Sequence, residues 1–370
     1  MNTKQKPLIV IHSNNHPNNT GGIESVVTQL ISLANSLDVK TKCLFGHHKN
    51  LKDYQSDTDT YLIGKKIMWK LAGASFLSFG NASFIKQACR AKLVIFQEPY
   101  PTLWPAILVL RKVLRIPTIV LIHANPAAAP RVMSLYDYLR SLVFHGAICV
   151  TTSPNLLQNI TTSTFAKQIV IPLGIASRVV ECTSNSFTLP PNFALYVGRL
   201  AAYKGLEYLL EAAVASPEVT YVIAGSGRLS SVVRKKIDSC AIRNVIFINR
   251  YLTESEKLEL ICRSLFLIFP STTENEAFGL VQLEAMRAGK AIINTNLSSG
   301  VNFVAPKDVC ALTVEKCSGA AIADASRKLW NSPTLRDSLG KRGQERFQKL
   351  FSEDHFLKAW LNLIKSVCIV

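Results

Sequence analysis

Two successive series of short apolar runs, each run followed by a helical pattern, constrain this chain more than any other feature. The first series has strand-length runs at Leu8–Ile11, Thr41–Phe45, Leu93–Phe96, Thr118–Ile122, Ala147–Thr151 and Gln168–Ile171, with helical patterns such as Gly22–Leu37 and Thr102–Arg115 between them. The second passes through Ala194–Val197, Tyr221–Ala224, Val245–Ile248, Leu265–Phe269 and Ala291–Asn294. Near-continuous apolar runs of this length mark strands buried on both faces. Their alternation with helices dictates right-handed crossovers and mainly parallel sheets. Between the series, Ala176 to Asn192 is polar and carries Pro190-Pro191, which reads as a linker. A chain of 370 residues exceeds one ordinary core. The expectation is therefore an α/β protein of two Rossmann-like domains, 1–178 and 179–350, with parallel sheets facing across a cleft. The tail, 351–370, sets Phe356, Trp360, Leu363 and Ile364 at helical spacing and reads as a helix packing back across the domains.

Composition narrows the function classes. With 48% hydrophobic and 18% charged residues the chain is a folded globular protein. The apolar region from Leu103 to Ile122 is interrupted by Pro105, Arg111, Lys112, Arg115 and Pro117, which excludes it as a membrane span, and the run after Met1 is too short for a signal sequence. Nine scattered cysteines without a Cys-x-x-Cys pair argue against a disulfide framework or a zinc site and fit a cytoplasmic setting. The net charge of +17 is uneven: residues 1–178 hold 19 Lys+Arg against 7 Asp+Glu, and residues 179–370 hold 23 against 18. An anionic partner is thus expected on the first half. No helix-turn-helix, zinc-finger or RNA-binding aromatic motif is present, so an anionic membrane surface is expected in place of nucleic acid. In the same half, Lys65-Lys-Ile-Met-Trp-Lys-Leu71 mixes cations with a tryptophan, which suits either an interfacial contact or an ordinary amphipathic helix.

The chemistry concentrates after particular strands. Phe269-Pro-Ser-Thr-Thr-Glu-Asn-Glu-Ala-Phe-Gly-Leu-Val-Gln-Leu-Glu284 runs from a buried strand, through a polar loop, into a helix opened by Gly279. Glu276 falls at the loop-to-helix junction and Glu284 eight residues later, beside a helix N-terminus at the strand end where open α/β sheets bind ligands. Tyr196-Val-Gly198-Arg199-Leu200, then Lys204-Gly205 before a helix, supplies a planar fork of donors and a point charge suited to an anionic leaving group. Ala224-Gly225-Ser-Gly227 is a tight turn that lacks the third glycine of a dinucleotide fingerprint, which speaks against a nicotinamide dehydrogenase. Gly21-Gly22-Ile-Glu24 heads the first helix and allows close backbone approach to a ligand, or is a simple turn. His123 ends the strand Thr118–Ile122, where imidazole is placed either to hydrogen-bond a substrate hydroxyl or to pack. Glu98-Pro-Tyr-Pro101 ends another strand and is positioned to line an acceptor pocket. Asp57-Thr-Asp59 has the spacing of a divalent-metal pair but no apolar strand before it, so no metal is expected.

The Glu-x7-Glu stretch with Phe-Gly inside it, together with Gly-Arg-Leu and Lys-Gly after the first strand of the second series, resembles the donor site of retaining family-4 glycosyltransferases of the GT-B type. The resemblance implies a catalytic set of Arg199, Lys204, Glu276 and His123. It further implies a donor-binding set of Gly22, Gly198, Gly225, Gly227, Phe278, Gly279, Leu280 and Glu284. Glu276 would meet sugar hydroxyls, Glu284 the ribose, and Arg199 with Lys204 the diphosphate, with no metal or other cofactor. The implied reaction moves a hexosyl group from a nucleoside-diphosphate sugar to a saccharide, with a polyprenyl-diphosphate-linked acceptor on the cytoplasmic membrane face in O-antigen or capsule-type synthesis. Asn249 and Ser298 to Val304 depart from the family pattern near the base and in the next loop. A nucleotide-sugar epimerase of the same architecture, or a non-catalytic nucleotide-sugar-binding subunit, shares most of these features.

Overall fold

The structure is a computed structural model. It describes residues 7–13, 22–37, 39–47, 54–55, 60–71, 74–77, 81–123, 130–158, 160, 164–177 and 186–368. The chain divides into two compact units, Met1–Pro172 with Phe356–Val370, and Leu173–His355.

The strands of the first unit are β1 (Leu8–Ser13), β2 (Lys40–His47), β3 (Tyr54–Gln55), β4 (Thr60–Leu71), β5 (Ala74–Leu77), β6 (Leu93–Glu98), β7 (Thr118–Ile122), β8 (Ile148–Thr151) and β9 (Lys167–Val170). They form one sheet in the order β3-β4-β2-β1-β6-β7-β8-β9, with β5 pairing β4. All neighbours from β4 to β9 run parallel, for example Ile11 opposite both Cys43 and Ile95. Every residue of β6 and β7 is buried, as expected for parallel strands covered on both faces. The antiparallel additions β3 and β5 were not anticipated. They take in the segment Lys65–Leu71, which is not a helix but part of β4. β-Branched and aromatic residues in that segment favour the extended form over the helix that its charges suggest.

One face of the sheet is covered by the helices Asn81–Ala88, Trp104–Leu108 and Pro130–Phe144, packed around Phe84, Phe96, Trp104, Leu110, Val120 and Phe144. The expected helix over Thr102–Arg115 opens as a 3-10 turn at Pro101–Leu103 and ends as a π turn at Val109–Val113. The terminal helix Glu353–Val367 buries Phe356, Trp360, Leu363 and Ile364, and Cys368 Sγ lies 3.8 Å from the Lys92 carbonyl oxygen.

The strands of the second unit are β10 (Ala194–Val197), β11 (Tyr221–Gly225), β12 (Val245–Asn249), β13 (Phe266–Phe269), β14 (Ala291–Thr295) and β15 (Ala311–Val314). Their order is β12-β11-β10-β13-β14-β15, parallel throughout. Helices Leu206–Ala215 and Gly319–Asn331 pack on one face, with Leu209, Tyr221, Ile223, Phe266, Ile322 and Leu329 in the core between. Cys262 is disulfide-bonded, which cysteine spacing did not suggest, while Cys43, Cys89, Cys149, Cys240, Cys310, Cys317 and Cys368 are free.

Candidate active site

In the second sheet β10 has β11 on one side and β13 on the other, so the connections leave in opposite directions. Such a switch point opens a crevice at the carboxyl ends of the two strands. The Gly-Arg-Leu loop follows β10, the Glu276 loop follows β13, and the Gly-Ser-Gly turn follows β11 next door.

The loops after β10 and β11 lie backbone to backbone. Gly198 N donates to the Ala224 carbonyl at 3.0 Å and Leu200 N to that of Ser226 at 2.9 Å. Gly225 has φ +142°, and a Cβ there would sit 1.9 Å from the Gly198 carbonyl oxygen. At Gly227 it would sit 2.3 Å from that of Leu200. These glycines therefore have a packing role whatever they bind.

After Leu200 the chain makes a 3-10 turn over Ala202–Lys204. This turn is fixed to the loop after β13, because Thr272 N donates to the Tyr203 carbonyl at 2.8 Å. The turn thus delivers Lys204 to Glu276. Lys204 Nζ forms an ion pair with Glu276 Oε2, the two side chains being 14% and 10% exposed. Ser271 Oγ donates to the same oxygen at 3.1 Å. The ammonium also lies 5.1 Å from the ring centroids of Tyr203 and Phe269, a cation–π cradle that restrains it. Arg199 is exposed, donates to Tyr203 Oη at 2.9 Å, and has its main-chain carbonyl tied by Tyr196 Oη at 3.0 Å. One carboxylate and two cations thus converge at the switch point. Gly279 (φ +80°) starts the helix Leu280–Arg287, and a Cβ there would meet the Phe269 ring at 2.7 Å. The Phe278 side chain is buried edge-on to Phe351, leaving its amide as the group it can offer.

Glu284 lies on that helix, and its Oε1 pairs with Lys257 Nζ at 2.7 Å. Lys257 also reaches Glu254 Oε2 at 2.8 Å. Burial pushes the Glu284 carboxyl up, against the pull of Lys257. Burial disfavours the Lys257 ammonium, but the Glu284 and Glu254 charges carry it above its ordinary value. Glu284 Oε2 is buried with no hydrogen-bond partner. It is an acceptor positioned for a donor that the protein does not supply. Lys257 belongs to the helix Glu254–Arg263, whose start is fixed by a capping box between Thr253 and Glu256.

In the first unit His123 follows β7, is 6% exposed, and has Nε2 without a partner. Burial lowers it to about 4, so the imidazole is neutral at physiological pH. Glu98, at the end of β6, accepts from Trp104 Nε1 at 2.7 Å, Tyr136 Oη at 2.5 Å and Tyr100 N at 3.3 Å. With both oxygens engaged, it ties the strand end to two helices. Gly22 opens the helix Gly22–Ser36. Gly21 and the pair Asp57 and Asp59 lie outside the described residues, and no cluster of three potential metal ligands occurs among the described ones.

Sequence reasoning did not find Tyr203, Ser271 or Lys257. The first two are placed by the adjacency of β10 and β13, a tertiary fact. Lys257 carries a faint signal, being a lysine on the inward side of a helix with Leu258 and Ile261 buried beside it.

Two mainly parallel Rossmann-like sheets, the second with its switch point between β11 and β13, give the chain the fold of GT-B glycosyltransferases. Residues 183–346 match the family model for glycosyl transferases group 1. Across most of its length the chain is 28% identical to O-antigen chain mannosyltransferase C of Escherichia coli, covering 96% of this chain and 97% of that protein. It is 26% identical to the D-rhamnosyltransferase WbpZ of Pseudomonas aeruginosa, covering 90% and 88%. Among solved structures, a sucrose-phosphate synthase from Thermosynechococcus elongatus superposes with a TM-score of 0.78 over 98% of this chain and 99% of the other, at 18% identity. Anabaena HepE in complex with UDP and glucose gives 0.72 over 97% and 100%, at 14% identity.

Proposed function

We propose that this glycosyltransferase moves a hexosyl group from a nucleoside-diphosphate sugar to a hydroxyl of a lipid-linked saccharide, with retention at the anomeric carbon, in O-antigen or capsule-type polysaccharide synthesis. The observation that carries this reading is the convergence of Arg199, Lys204 and Glu276 where the β10 and β13 loops meet. Glu276 accepts hydrogen bonds from hydroxyls of the transferred sugar. Arg199 and Lys204 receive the diphosphate, together with the amides of Phe278, Gly279 and Leu280 and the close-packed backbone at Gly198, Gly225 and Gly227. The unpartnered Glu284 Oε2 takes a ribose hydroxyl. Neutral His123 offers Nε2 to a sugar hydroxyl, and the backbone at Gly22 approaches the donor.

In the chemical step the bond from the anomeric carbon to the leaving phosphate oxygen breaks. The bond to the acceptor oxygen forms on the same face, and the acceptor proton passes to the leaving phosphate. Charge develops on the diphosphate, where two fixed cations stabilise it. Positioning supplies the remainder. Because Arg199 and Lys204 supply positive charge at the leaving group, we expect turnover to survive chelation of divalent ions. The excess of cations in residues 1–178 supports an acceptor held at an anionic, cytoplasmic membrane surface.

The test is a screen of nucleoside-diphosphate sugars in chelator, reading release of free nucleoside diphosphate with and without a lipid-linked acceptor extract. Acceptor-stimulated release from one donor is expected, with the product anomer read by NMR. Conversion of a donor without nucleotide release would replace this reading with the epimerase.

A further inference from the structure

The helix Pro130–Phe144 is apolar on two faces. Its inner face, with Val143 and Phe144 buried, packs on the sheet. Its outer face presents Leu135, Tyr138, Leu139 and Leu142, at i, i+3, i+4 and i+7. A helix face that meets only water is normally polar. Arg140 is buried on the inner side of the helix, where it pairs with Asp137 at 2.9 Å, so none of the four outer positions carries a charge. Beside it ends the helical segment carrying Val113 and Leu114. The two ends are tied together, because Arg111 Nη2 donates to the His145 carbonyl at 2.9 Å and Lys112 Nζ to the same oxygen at 3.4 Å. All six of these apolar side chains are between 41% and 70% exposed. Exposed Lys112 and Arg115 stand at the edge of this patch.

From this arrangement we infer that the outer face of Pro130–Phe144 and the adjoining 113–115 corner is the surface by which the first unit lies on an anionic lipid bilayer. The inference deepens the membrane-surface reading proposed above and rests on it. A contiguous apolar patch of this kind marks an interaction surface, and its charge pattern selects the partner. Leucines and valine enter the acyl boundary, Tyr138 sits at headgroup depth, and the cations meet lipid phosphates. The same face of a second copy carries no carboxylate to meet Lys112 and Arg115, whereas an anionic bilayer offers them phosphates. Among the described residues no helix is long and apolar enough to cross a membrane, so the contact is interfacial.

The test is flotation of the full chain with phosphatidylcholine vesicles, with or without phosphatidylglycerol. The proteins compared are wild type, Leu135→Ser/Leu139→Ser and Lys112→Glu/Arg115→Glu. Release of nucleoside diphosphate in solution and melting temperature are read in parallel. Wild type is expected to float with the anionic vesicles and to be released by salt. Each double variant should partition about tenfold more weakly, at roughly a few-fold per lost cation or apolar anchor, with unchanged melting and unchanged release in solution. Wild type that turns over donor but stays with the pellet at low salt overturns the surface and leaves the transferase reading standing. Wild type that floats but turns over no donor does the reverse. Variants that float like wild type, or a wild-type dimer in solution that the leucine substitutions dissolve, also overturn the assignment.

Discussion

Replacing Gly225 by alanine puts a methyl carbon 1.9 Å from the Gly198 carbonyl oxygen, where real Cβ contacts do not fall below 3.0 Å. The loops after β10 and β11 must therefore part by about an ångström, which side-chain rotation cannot relieve because both partners are backbone. Parting them breaks the Gly198–Ala224 and Leu200–Ser226 hydrogen bonds, now 3.0 and 2.9 Å, each contributing about 1 kcal/mol. The backbone conformation at φ +142° adds about 1–3 kcal/mol for any residue with a Cβ. A loss of roughly 3–5 kcal/mol follows, or a melting temperature lower by about 8–15 °C for a unit of this size. Gly289 provides the control. Its φ of +67° is also left-handed, but a Cβ there meets nothing within 4 Å, so Gly289→Ala should cost only about 1 kcal/mol. Differential scanning calorimetry of the two variants separates clash from strain. Equal shifts would refute the argument that close backbone approach, and not φ alone, holds these loops together.

Lys204→Met should lower acceptor-dependent nucleotide release by about 10²–10³-fold, the usual effect of removing one transition-state charge partner, and a variant within a few-fold of wild type would remove Lys204 from the mechanism. Lys257→Met leaves the Glu284 carboxylate without its cation and should raise donor KM about tenfold, increasingly so as pH falls, with kcat little changed; Lys257→Arg should restore it, and an unchanged KM would show that the pair does not serve the donor. Stability should fall with acid below neutrality. Burial holds His123 at about 4 and His12 at about 3, against 6.5 when exposed, so the unfolded chain binds protons that the folded chain refuses. This stability is fully present above pH 6.5 and is lost as pH drops toward the folded values, at about 3 kcal/mol for His123. His123→Gln should flatten the melting temperature between pH 6.5 and 4.5, and an unchanged slope would mean that His123 is protonated in the folded state.

Much of the fold was legible because parallel strands buried on both faces leave unbroken apolar runs. Such runs fell within a residue or two of β1, β7, β10 and β13. The antiparallel additions around β4 were not legible, since a segment such as Lys65–Leu71 carries charge and apolar residues in an order that satisfies a helix or an edge strand equally. β15 was missed because Ala311–Val314 is short and only partly buried beyond its first residue. Within the site, Arg199, Lys204 and Glu276 stood out because each follows a strand end within a few residues, and Glu284 because it follows Glu276 by eight on the helix that Gly279 opens. Their mutual arrangement did not, because the Lys204–Glu276 pair spans 72 residues and depends on β10 neighbouring β13. Tyr203 and Ser271 owe their places to that same adjacency. At Gly225 the sequence suggested a ligand, and the structure adds a backbone neighbour.

The terminal helix clusters with the first 172 residues, while residues 173–355 form a unit of their own between these two pieces. In order of synthesis, the unit Leu173–His355 is then complete before the unit that encloses it in sequence. During translation the first sheet waits for Phe356, Trp360, Leu363 and Ile364, exposing in the meantime the apolar surface that they cover. We expect released fragments ending near residue 355 to resist protease across 186–355 while remaining susceptible within 81–172. Equal resistance of both regions at that length would show that the first unit folds without its last helix.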